Sequence, residues 1–248
     1  MQAADFRQAL AAIEDVEGWL TEDQARRLFE RARTLGPDAR IVEIGSYRGR
    51  SAIVMALAAK PGVTVCAIDP HAGSDRGPRE IEGYGEEAKD DHRAFRENLD
   101  RAGVGSTVEH LRMTSQDALD RLAGDAELVY VDGAHRYQPA RADIAGWGAR
   151  VTVGGALLMH DAFSAVGVTL AQLRLLVAGS RFRYVGRTGS LAEYRREDLK
   201  GWARIRNAFR QLAQLPWFAR NLAVKLALVL RLRPVARLLG QPSGEWPY

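Results

Sequence analysis

The segment RIVEIGSYRGRSAIVMALAAKPGVTVCAID, residues 40–69, decides the fold. It begins and ends with the apolar pattern of a strand, and residues 51–60 between them carry the pattern of a buried helix. A strand, a helix and a second strand within about thirty residues form a βαβ unit. Such a unit places its two strands parallel, with a right-handed crossover between them. The segment therefore predicts a parallel sheet.

The same alternation continues along the chain. Three further strand patterns lie at residues 107–112, 127–131 and 154–161, and helical patterns separate them. Two final strand patterns, RFRYVG and SLAEYRR, predict a hairpin at the edge of the sheet. We therefore predict an α/β fold: a doubly wound, mostly parallel sheet of seven strands, with N-terminal helices and a C-terminal helical extension. The polar residues 71–91 are predicted to form a lid or a loop.

Composition limits the classes of protein to which the chain can belong. Its 248 residues are 46% hydrophobic and 27% charged, the balance of a folded globular protein rather than a disordered one. The single cysteine, Cys66, excludes an intramolecular disulfide framework, and its strand context favours an inert core thiol. No secretory signal is recognisable at the N-terminus, and no apolar run reaches about 18 residues, the length of a membrane span. We expect a cytoplasmic protein.

The positive charge of the chain is concentrated in its tail. Residues 199–248 contain nine Lys or Arg and one acid and carry +8, whereas the whole chain carries +4. We predict that this tail follows an α/β domain formed by residues 1–198. Four large apolar residues of the tail form a stripe at helical spacing: Trp202, Ile205, Phe209 and Leu212. Such a stripe is typical of core or dimer packing, of a helix on a membrane surface, or of nucleic-acid contact.

Two glycines mark the turn after the first strand. Gly45 and Gly49 flank a strand-to-helix turn at which the backbone can approach a ligand closely. Tyr47 stands where a dinucleotide fingerprint has its second glycine, so that fingerprint is absent. Glu43 precedes the turn, and a carboxylate there suits a ligand with an ammonium group better than a pyrophosphate. The alternative is an ordinary glycine-rich turn.

An acid also ends the second strand. Asp69 is placed to accept hydrogen bonds from both hydroxyls of a ribose. Together with Glu43 and the two glycines, it describes a nucleoside with a positively charged arm, as in S-adenosylmethionine. The chain resembles class I S-adenosylmethionine-dependent methyltransferases at these positions, and the resemblance implies their Rossmann-like fold. The cofactor-binding residues that it implies are Glu43, Gly45, Ser46, Tyr47, Gly49, Ser51, Asp69, Ser115, Gln116 and Asp132.

Ser115 and Gln116 resemble the segment that contacts the adenine edge in catechol-type O-methyltransferases. Ser and Gln are also ordinary residues at the start of a helix. Three histidines lie outside the motifs: His92 and His110 are predicted to be structural, and His71, next to Asp69-Pro70, is left open.

The stretch LVYVDGAHRY, residues 128–137, ends an apolar strand in Asp132 and places His135 three positions later. The fifth strand ends in His160-Asp161. Because adjacent parallel strands end at the same edge of a sheet, Asp132 and Asp161 can converge in one cleft. Two carboxylates that close repel each other unless a divalent cation or a shared proton compensates their charge. Oxygen ligands favour Mg²⁺ or a similar ion.

These residues resemble those of macrocin-type sugar O-methyltransferases. The resemblance implies that Asp132 and Asp161 bind a divalent metal, that His160 is a further ligand or a neighbour of the ligands, and that His135 is the catalytic base. Catechol-type enzymes have a lysine as the base where this chain has His135, which points to sugar-like or other aliphatic hydroxyls. The alternatives are a common Asp-Gly strand exit and a helix cap at Asp161.

The predicted activity is methyl transfer from S-adenosylmethionine to a hydroxyl of a sugar, a polysaccharide precursor or another natural product. Alternatives are a metal enzyme of methyltransferase fold with hydroxylase-like chemistry, and a nucleic-acid methyltransferase that uses the basic tail. The acidic body of the chain makes nucleic acid a poor partner. We expect the acceptor to be a glycan or a small molecule. We also expect a homodimer, which can form through the tail, and the tail can make peripheral contact with the inner face of a membrane.

Overall fold

The computed structural model describes residues 4–72 and 85–241, except for the side chains of residues 85–89. Helices before and between the strands pack on a seven-stranded sheet, and three helices follow it. The helices are α1 (Phe6–Ala12), α2 (Glu22–Arg33), α3 (Arg50–Ala58), α4 (Gly85–Arg101), α5 (Ser115–Arg121), α6 (Tyr137–Ala149), α7 (Val166–Gln172, continued by a π-helical turn, Leu173–Val177), α8 (Gly201–Leu212), α9 (Leu215–Val229) and α10 (Arg233–Leu238). The strands are β1 (Arg40–Ile44), β2 (Thr64–Ile68), β3 (Val108–Leu111), β4 (Ala126–Val131), β5 (Val151–Met159), β6 (Phe182–Thr188) and β7 (Leu191–Arg196).

The predicted sheet is confirmed. The strand order is β3-β2-β1-β4-β5-β7-β6. Strands β1 to β5 pair in parallel, whereas β7 runs antiparallel to both β5 and β6. The last two strands form the predicted hairpin, and β6 lies at the edge. Most of the polar segment predicted as a lid or a loop, residues 73–84, lies outside the described residues.

The strand order reverses between β1 and β4. Backbone hydrogen bonds continue to the strand ends there, from Gly45 N to Ile68 O at 2.9 Å and from Asp132 N to Ile44 O at 2.8 Å. Doubly wound sheets bind their ligands at such a reversal, outside the carboxyl ends of the strands. The turns that follow β1, β2, β4 and β5 therefore meet at the expected ligand-binding edge.

The core consists of two clusters of buried apolar side chains. One contains residues of α2, α3 and α4, and the other contains residues of α6, α7 and β5. Cys66 belongs to the second cluster and is 1% exposed. Burial, followed by the charge of Glu109, raises the pKa of its thiol to about 11. The predicted place of this thiol in the core is confirmed.

Helix α2, near the N-terminus, contacts strand β7 of the sheet. Thr21 and Gln24 form a capping box at its start, a pattern that the sequence Thr21-Glu22-Asp23-Gln24 predicts. Arg27 and Arg31 both form ion pairs with Glu193 of β7, which is 2% exposed. Because the charge of a buried carboxylate has to be compensated, the two arginines hold α2 against β7.

The apolar stripe of the tail does not pack in the core of the chain. Trp202 is 75% exposed and Phe209 is 66% exposed, and Ile205 and Leu212 are also exposed. Core packing, one of the expectations from the spacing, is therefore wrong for these four side chains. Helices α8 and α9 form the predicted C-terminal helical extension, whereas the short helix α10 that follows them was not predicted. Among the described residues, no helix is both long and apolar enough to cross a membrane.

Candidate active site

Left-handed backbone marks the carboxyl edge of the sheet. Tyr47, His71 and Asp161 have φ values of 45°, 44° and 54°. Each lies shortly after the end of a strand, β1, β2 and β5 respectively. Residues with side chains avoid this region of backbone conformation and persist in it mainly where the surrounding structure imposes it, often at functional sites. The backbone therefore favours a site at this edge.

Gly45 brings the turn after β1 against the exit of β4. Its φ is +82°, and a Cβ atom at this position would lie 2.2 Å from the carbonyl oxygen of Asp132. Gly49, with φ +88°, directly precedes α3, and a Cβ there would lie 3.2 Å from the ring of Phe95. Both positions require glycine, because a side chain would be strained and Gly45 has no room for one.

Glu43 is a buried carboxyl group with one unpaired oxygen. It is 0% exposed, and the hydroxyl of Ser51 donates a hydrogen bond to its Oε1 atom. Its Oε2 atom has no hydrogen-bond partner among the described residues. Burial raises the pKa of Glu43 to about 8 against the opposing effect of the Ser51 hydrogen bond. A bound ammonium group would supply the missing counterion, so Glu43 fits the amino acid arm of S-adenosylmethionine.

Asp69 joins the turns that follow β1 and β2. Its Oδ2 atom accepts hydrogen bonds from the backbone N–H groups of Ser46 and Tyr47, both at 2.9 Å. Its Oδ1 atom accepts one from the N–H group of His71 at 2.7 Å. Each carboxylate oxygen has two lone pairs, so contact with ribose hydroxyls would share these oxygens with the backbone. The ribose role of Asp69 stays a prediction.

Ser115 and Gln116 are linked to the loop after β4 through Asp143. Both side chains donate hydrogen bonds to the Oδ1 atom of Asp143, Gln116 at 3.1 Å. Asp143 is 4% exposed, and burial raises its pKa. The residue that caps α5 is Thr114, not Ser115. The adenine contact of Ser115 and Gln116 stays a prediction. Their shared partner Asp143 lies beside Gly133, because a Cβ atom added at Gly133 would be 3.2 Å from the Oδ2 atom of Asp143.

Four predicted residues meet beyond the ends of β4 and β5. The Nε2 atom of His135 lies 2.8 Å from the Oδ2 atom of Asp161. The Nδ1 atom of His160 lies 3.3 Å from Oδ1 of Asp132 and 3.8 Å from Oδ2 of Asp161. The two carboxylates therefore converge as predicted, with an imidazole between them. A cavity beside them is lined by both histidines and Asp132 and by the apolar side chains of Met159 and Val168 among others.

The two acids and two imidazoles of the cleft shift one another's pKa values. Burial alone would lower the pKa of His160, but the charges of Asp132 and Asp161 raise it well above its ordinary value. Burial would also lower the pKa of His135, and the contact with Asp161 raises it instead. Burial would raise the pKa of Asp161, but its contacts with the two imidazoles lower it well below the usual range. The arrangement thus gives each acid an imidazole as a neighbour.

The same arrangement decides how well a divalent metal fits. Among the residues that the structure describes, no group of three or more His, Cys, Asp and Glu side chains is arranged to hold a metal ion. Asp132 also accepts a hydrogen bond from the hydroxyl of Tyr130 at 2.9 Å, so both of its oxygens have partners. The side chains as they stand do not fit the predicted metal. Its ligand set, Asp132, Asp161 and His160, stays a prediction.

Two residues of the site were not predicted. Tyr130 lies on β4 two positions before Asp132, which directly follows the strand, and side chains two positions apart in extended backbone point to the same side. That spacing was available in the sequence as a signal. Gln24 of α2 is 0% exposed, and its Oε1 atom lies 3.4 Å from the Nε2 atom of His160. The sequence gives no signal for this contact beyond the capping box.

The three remaining histidines form a cluster beside Asp69. The rings of His71, His92 and His110 lie 4.9–5.3 Å apart between centroids, and Phe95 packs on two of them. Burial lowers the pKa of each, to about 4 for His110. Neutral rings packed in this way agree with the structural role predicted for His92 and His110.

Solved structures with the same sheet include methyltransferases. An O-methyltransferase from Bacillus cereus in complex with SAH is 17% identical, with a TM-score of 0.55, and the match covers 79% of this chain and 93% of that one. The O-methyltransferase TomG from Streptomyces achromogenes, involved in tomaymycin synthesis and solved with SAM, is 17% identical, with a TM-score of 0.55 and coverage of 79% and 92%. Cofactor-bound Rv0187 from MTB is 20% identical, with a TM-score of 0.57 and coverage of 80% and 93%. The fold is that of a class I methyltransferase.

A family model adds an observation from the sequence. Residues 42–162 match the family described as a methyltransferase domain. The matched segment of this methyltransferase fold begins in β1 and ends just after Asp161, so it contains the converging acids and both histidines of the cleft. Together, the fold and the match support a class I S-adenosylmethionine-dependent methyltransferase.

Proposed function

We propose that the protein transfers a methyl group from S-adenosylmethionine to a hydroxyl of a sugar, a polysaccharide precursor or another natural product. The contact between His135 and Asp161 carries the proposal. It places an imidazole of raised pKa, paired with a carboxylate, at the same edge of the sheet as the predicted cofactor site. An aliphatic hydroxyl has to lose its proton as it is methylated. The neutral form of an imidazole can accept that proton, so His135 would act as a base at a pH above its raised pKa.

The residues proposed to hold the cofactor surround the turn after β1. Glu43 would pair with the ammonium group, and the backbone from Gly45 to Gly49 would leave room for the amino acid arm. Asp69 would face the ribose, and Ser115 and Gln116 would face the adenine. S-adenosylmethionine, when bound, supplies a methyl group that its sulfonium already activates. The work of the protein is therefore mainly to position the acceptor and to manage its proton.

His135 is the proposed base, and Asp161 lies 2.8 Å from its Nε2 atom without the geometry of a hydrogen bond, so we propose that Asp161 acts on it mainly through its charge. Because the Nε2 atom of His135 lies against Asp161, the Nδ1 atom is the nitrogen that remains for the hydroxyl proton. The carboxylate of Asp161 stabilises the imidazolium that forms. His160 keeps Asp132 and Asp161 together without mutual repulsion. The side chains as they stand do not fit a metal, and the proposed proton transfer uses these side chains alone.

The experiment that tests the proposal measures release of S-adenosylhomocysteine. The acceptors are free sugars, nucleotide-linked sugars as polysaccharide precursors, phenols and transfer RNA, each with and without EDTA. We expect release with a sugar-type acceptor. Release only with RNA would overturn the assignment of the acceptor, and so would release only with phenols. Loss of release with EDTA, reversed by Mg²⁺, would establish the predicted metal and require the acids to rearrange.

A pair of variants tests the base. In His135→Gln we expect turnover to fall by about 10²- to 10⁴-fold, the usual contribution of a general base, while the affinity for S-adenosylmethionine is unchanged. His92→Gln makes the same chemical change outside the cleft and should retain wild-type turnover. Turnover of His135→Gln within a few-fold of wild type would exclude His135 as the base. Equal loss of cofactor binding would instead indicate a structural role.

A further inference from the structure

Helix α8 has its polar side toward the protein and its apolar side toward solvent. Asn207 is 4% exposed and Gln211 is 0% exposed, whereas Trp202 is 75% and Phe209 is 66% exposed. At about 100° per residue, these two pairs lie on opposite sides of the helix. A helix on the surface of a globular protein normally has the reverse orientation. The apolar side of α8 is therefore unlike an ordinary solvated helix face.

Hydrogen bonds fix this orientation. The Oδ1 atom of Asn207 accepts a hydrogen bond from the backbone N–H of Tyr184 at 2.7 Å, and its Nδ2 atom donates one to the carbonyl oxygen of Phe182 at 3.0 Å. Both partners lie on β6, the edge strand. The Oε1 atom of Gln211 accepts a hydrogen bond from the hydroxyl of Tyr194 at 3.1 Å. Rotating α8 to bury its apolar side would leave these buried polar groups unpaired, which is unfavourable for each of them.

The two helices after α8 also present apolar side chains to solvent. Leu226 and Val229 of α9 are 60% and 66% exposed, and Leu238 of α10 is 87% exposed. Helix α9 likewise directs a polar residue inward, since Asn221 is 0% exposed and donates a hydrogen bond to the carbonyl oxygen of Phe163. The tail helices α8, α9 and α10 thus all expose apolar side chains, and buried polar side chains fix the first two of them.

The positive charge of the tail indicates which kind of partner covers its apolar side chains. Residues 199–241 contain nine Lys or Arg and no acid. Two tails facing each other would bring these positive charges together, which opposes a second copy of this surface as the occupant. Nucleic acid would match the charge but would leave the apolar side chains without a function. A bilayer with anionic headgroups satisfies both, because the basic side chains attract the headgroups and Trp and Phe are stable in the headgroup layer.

We propose that the tail helices dock the protein on an anionic bilayer surface. Trp202 and Phe209 insert into the headgroup layer, and exposed arginines, among them Arg206 and Arg233, pair with lipid phosphates. The proposal does not depend on the methyl-transfer reaction. It requires docking at the surface only, without a span of the membrane.

Vesicle flotation with the full chain tests the proposal. Mixed phosphatidylcholine–phosphatidylglycerol vesicles are compared with vesicles of phosphatidylcholine alone, at low and high salt. We expect the protein to float with the anionic vesicles and high salt to weaken binding. Absence from the anionic vesicles at low salt would overturn the proposal, and so would equal binding to both kinds of vesicle.

Substitutions in exposed side chains separate the two contributions. The double variant Trp202→Ala/Phe209→Ala should bind the anionic vesicles more than about tenfold more weakly, because the inserted apolar area is lost. Val153→Ala, an 86% exposed apolar residue of β5, is the matched control and should bind as wild type. Arg206→Glu/Arg233→Glu should also weaken binding, whereas Arg141→Glu on α6 should weaken it much less. Full binding by the Trp202/Phe209 variant would overturn the docking surface.

The same variants identify a different occupant if there is one. Sedimentation velocity is run over a range of protein concentrations without lipid, and transfer RNA is titrated in parallel. A dimer that the Trp202/Phe209 variant dissociates, with no flotation of wild type, would assign the surface to a second copy and overturn the proposal. Binding of RNA with no flotation would do the same in favour of nucleic acid.

Discussion

The Nε2 atom of His135 lies 2.8 Å from the Oδ2 atom of Asp161. The two residues follow β4 and β5, which pair in parallel, so they meet because these strands are neighbours in the sheet. Asp161 is also held in a left-handed conformation, with φ of 54°. The contact therefore depends on both the sheet and a strained exit from it, and it is specific enough to be tested by substitution.

Asp161→Asn should separate the action of the base from the binding of the cofactor. Loss of the carboxylate removes both the partner of His135 and the charge that stabilises its imidazolium. We expect turnover to fall by at least about a hundredfold, while the affinity for S-adenosylmethionine changes little. Steady-state kinetics and calorimetric binding measure the two effects. Asp120→Asn, an exposed acid of α5, is the control, and equal losses in both variants would contradict the assignment.

Glu43 should make cofactor binding depend on pH. Because burial raises the pKa of Glu43 to about 8, its carboxyl group is protonated in the free protein at lower pH. An ammonium group binds the carboxylate form, so the affinity for S-adenosylmethionine should increase as the pH rises toward that value. Between about pH 6 and 7.5 the dissociation constant should fall by roughly twentyfold. Calorimetry in buffers of different ionisation enthalpy would also record release of a proton.

Glu43→Gln should bind the cofactor more weakly at the upper end of this range and should lose the pH dependence. Glu97→Gln, an exposed glutamate of α4, should retain it. If Glu43→Gln and wild type show the same dependence on pH, Glu43 does not pair with the ammonium group.

Gly45→Ala and Gly154→Ala form a matched pair. Both positions have φ near +80°, but a Cβ at Gly154 meets open space, whereas one at Gly45 lies 2.2 Å from the carbonyl oxygen of Asp132. Gly154→Ala should cost only the strain of the backbone, about 1–3 kcal/mol of unfolding free energy. Gly45→Ala should cost more and should also weaken cofactor binding. Chemical denaturation and binding measurements compare them, and equal costs would show that the turn moves away from β4 freely.

Gly167 provides a second such test. A Cβ at this position of α7 would lie 2.2 Å from the carbonyl oxygen of His135. Gly167→Ala should therefore displace the backbone of His135, the proposed base. We expect the fold to be destabilised by about 1–3 kcal/mol and turnover to fall. Gly36→Ala is the control, because nothing lies within 4 Å of its Cβ position. Wild-type turnover in a stable Gly167→Ala protein would mean that the position of His135 tolerates the shift.

The sequence predicts the sheet and much of the site because both depend on local patterns. Asp132, His135 and Asp161 stand out as polar residues directly after apolar strands, and their strands are neighbours by the topology that the βαβ unit implies. The side of α8 that faces the protein was not predictable in this way. Spacing identifies the apolar stripe, but Asn207 faces inward because β6 is an edge strand whose backbone groups need partners. That need arises only in the folded sheet.

The contacts of Gln24 limit where the chain can be truncated. Its amide nitrogen donates a hydrogen bond to the hydroxyl of Ser190 at 3.1 Å, while its oxygen lies against His160. Yet Gln24 precedes the family match, which starts at residue 42, and Ser190 follows its end at residue 162. A fragment limited to residues 42–162 would keep the two acids and the two imidazoles but would lose Gln24 and Ser190, which pack behind His160. We therefore expect such a fragment to hold His160 less firmly than the full chain does.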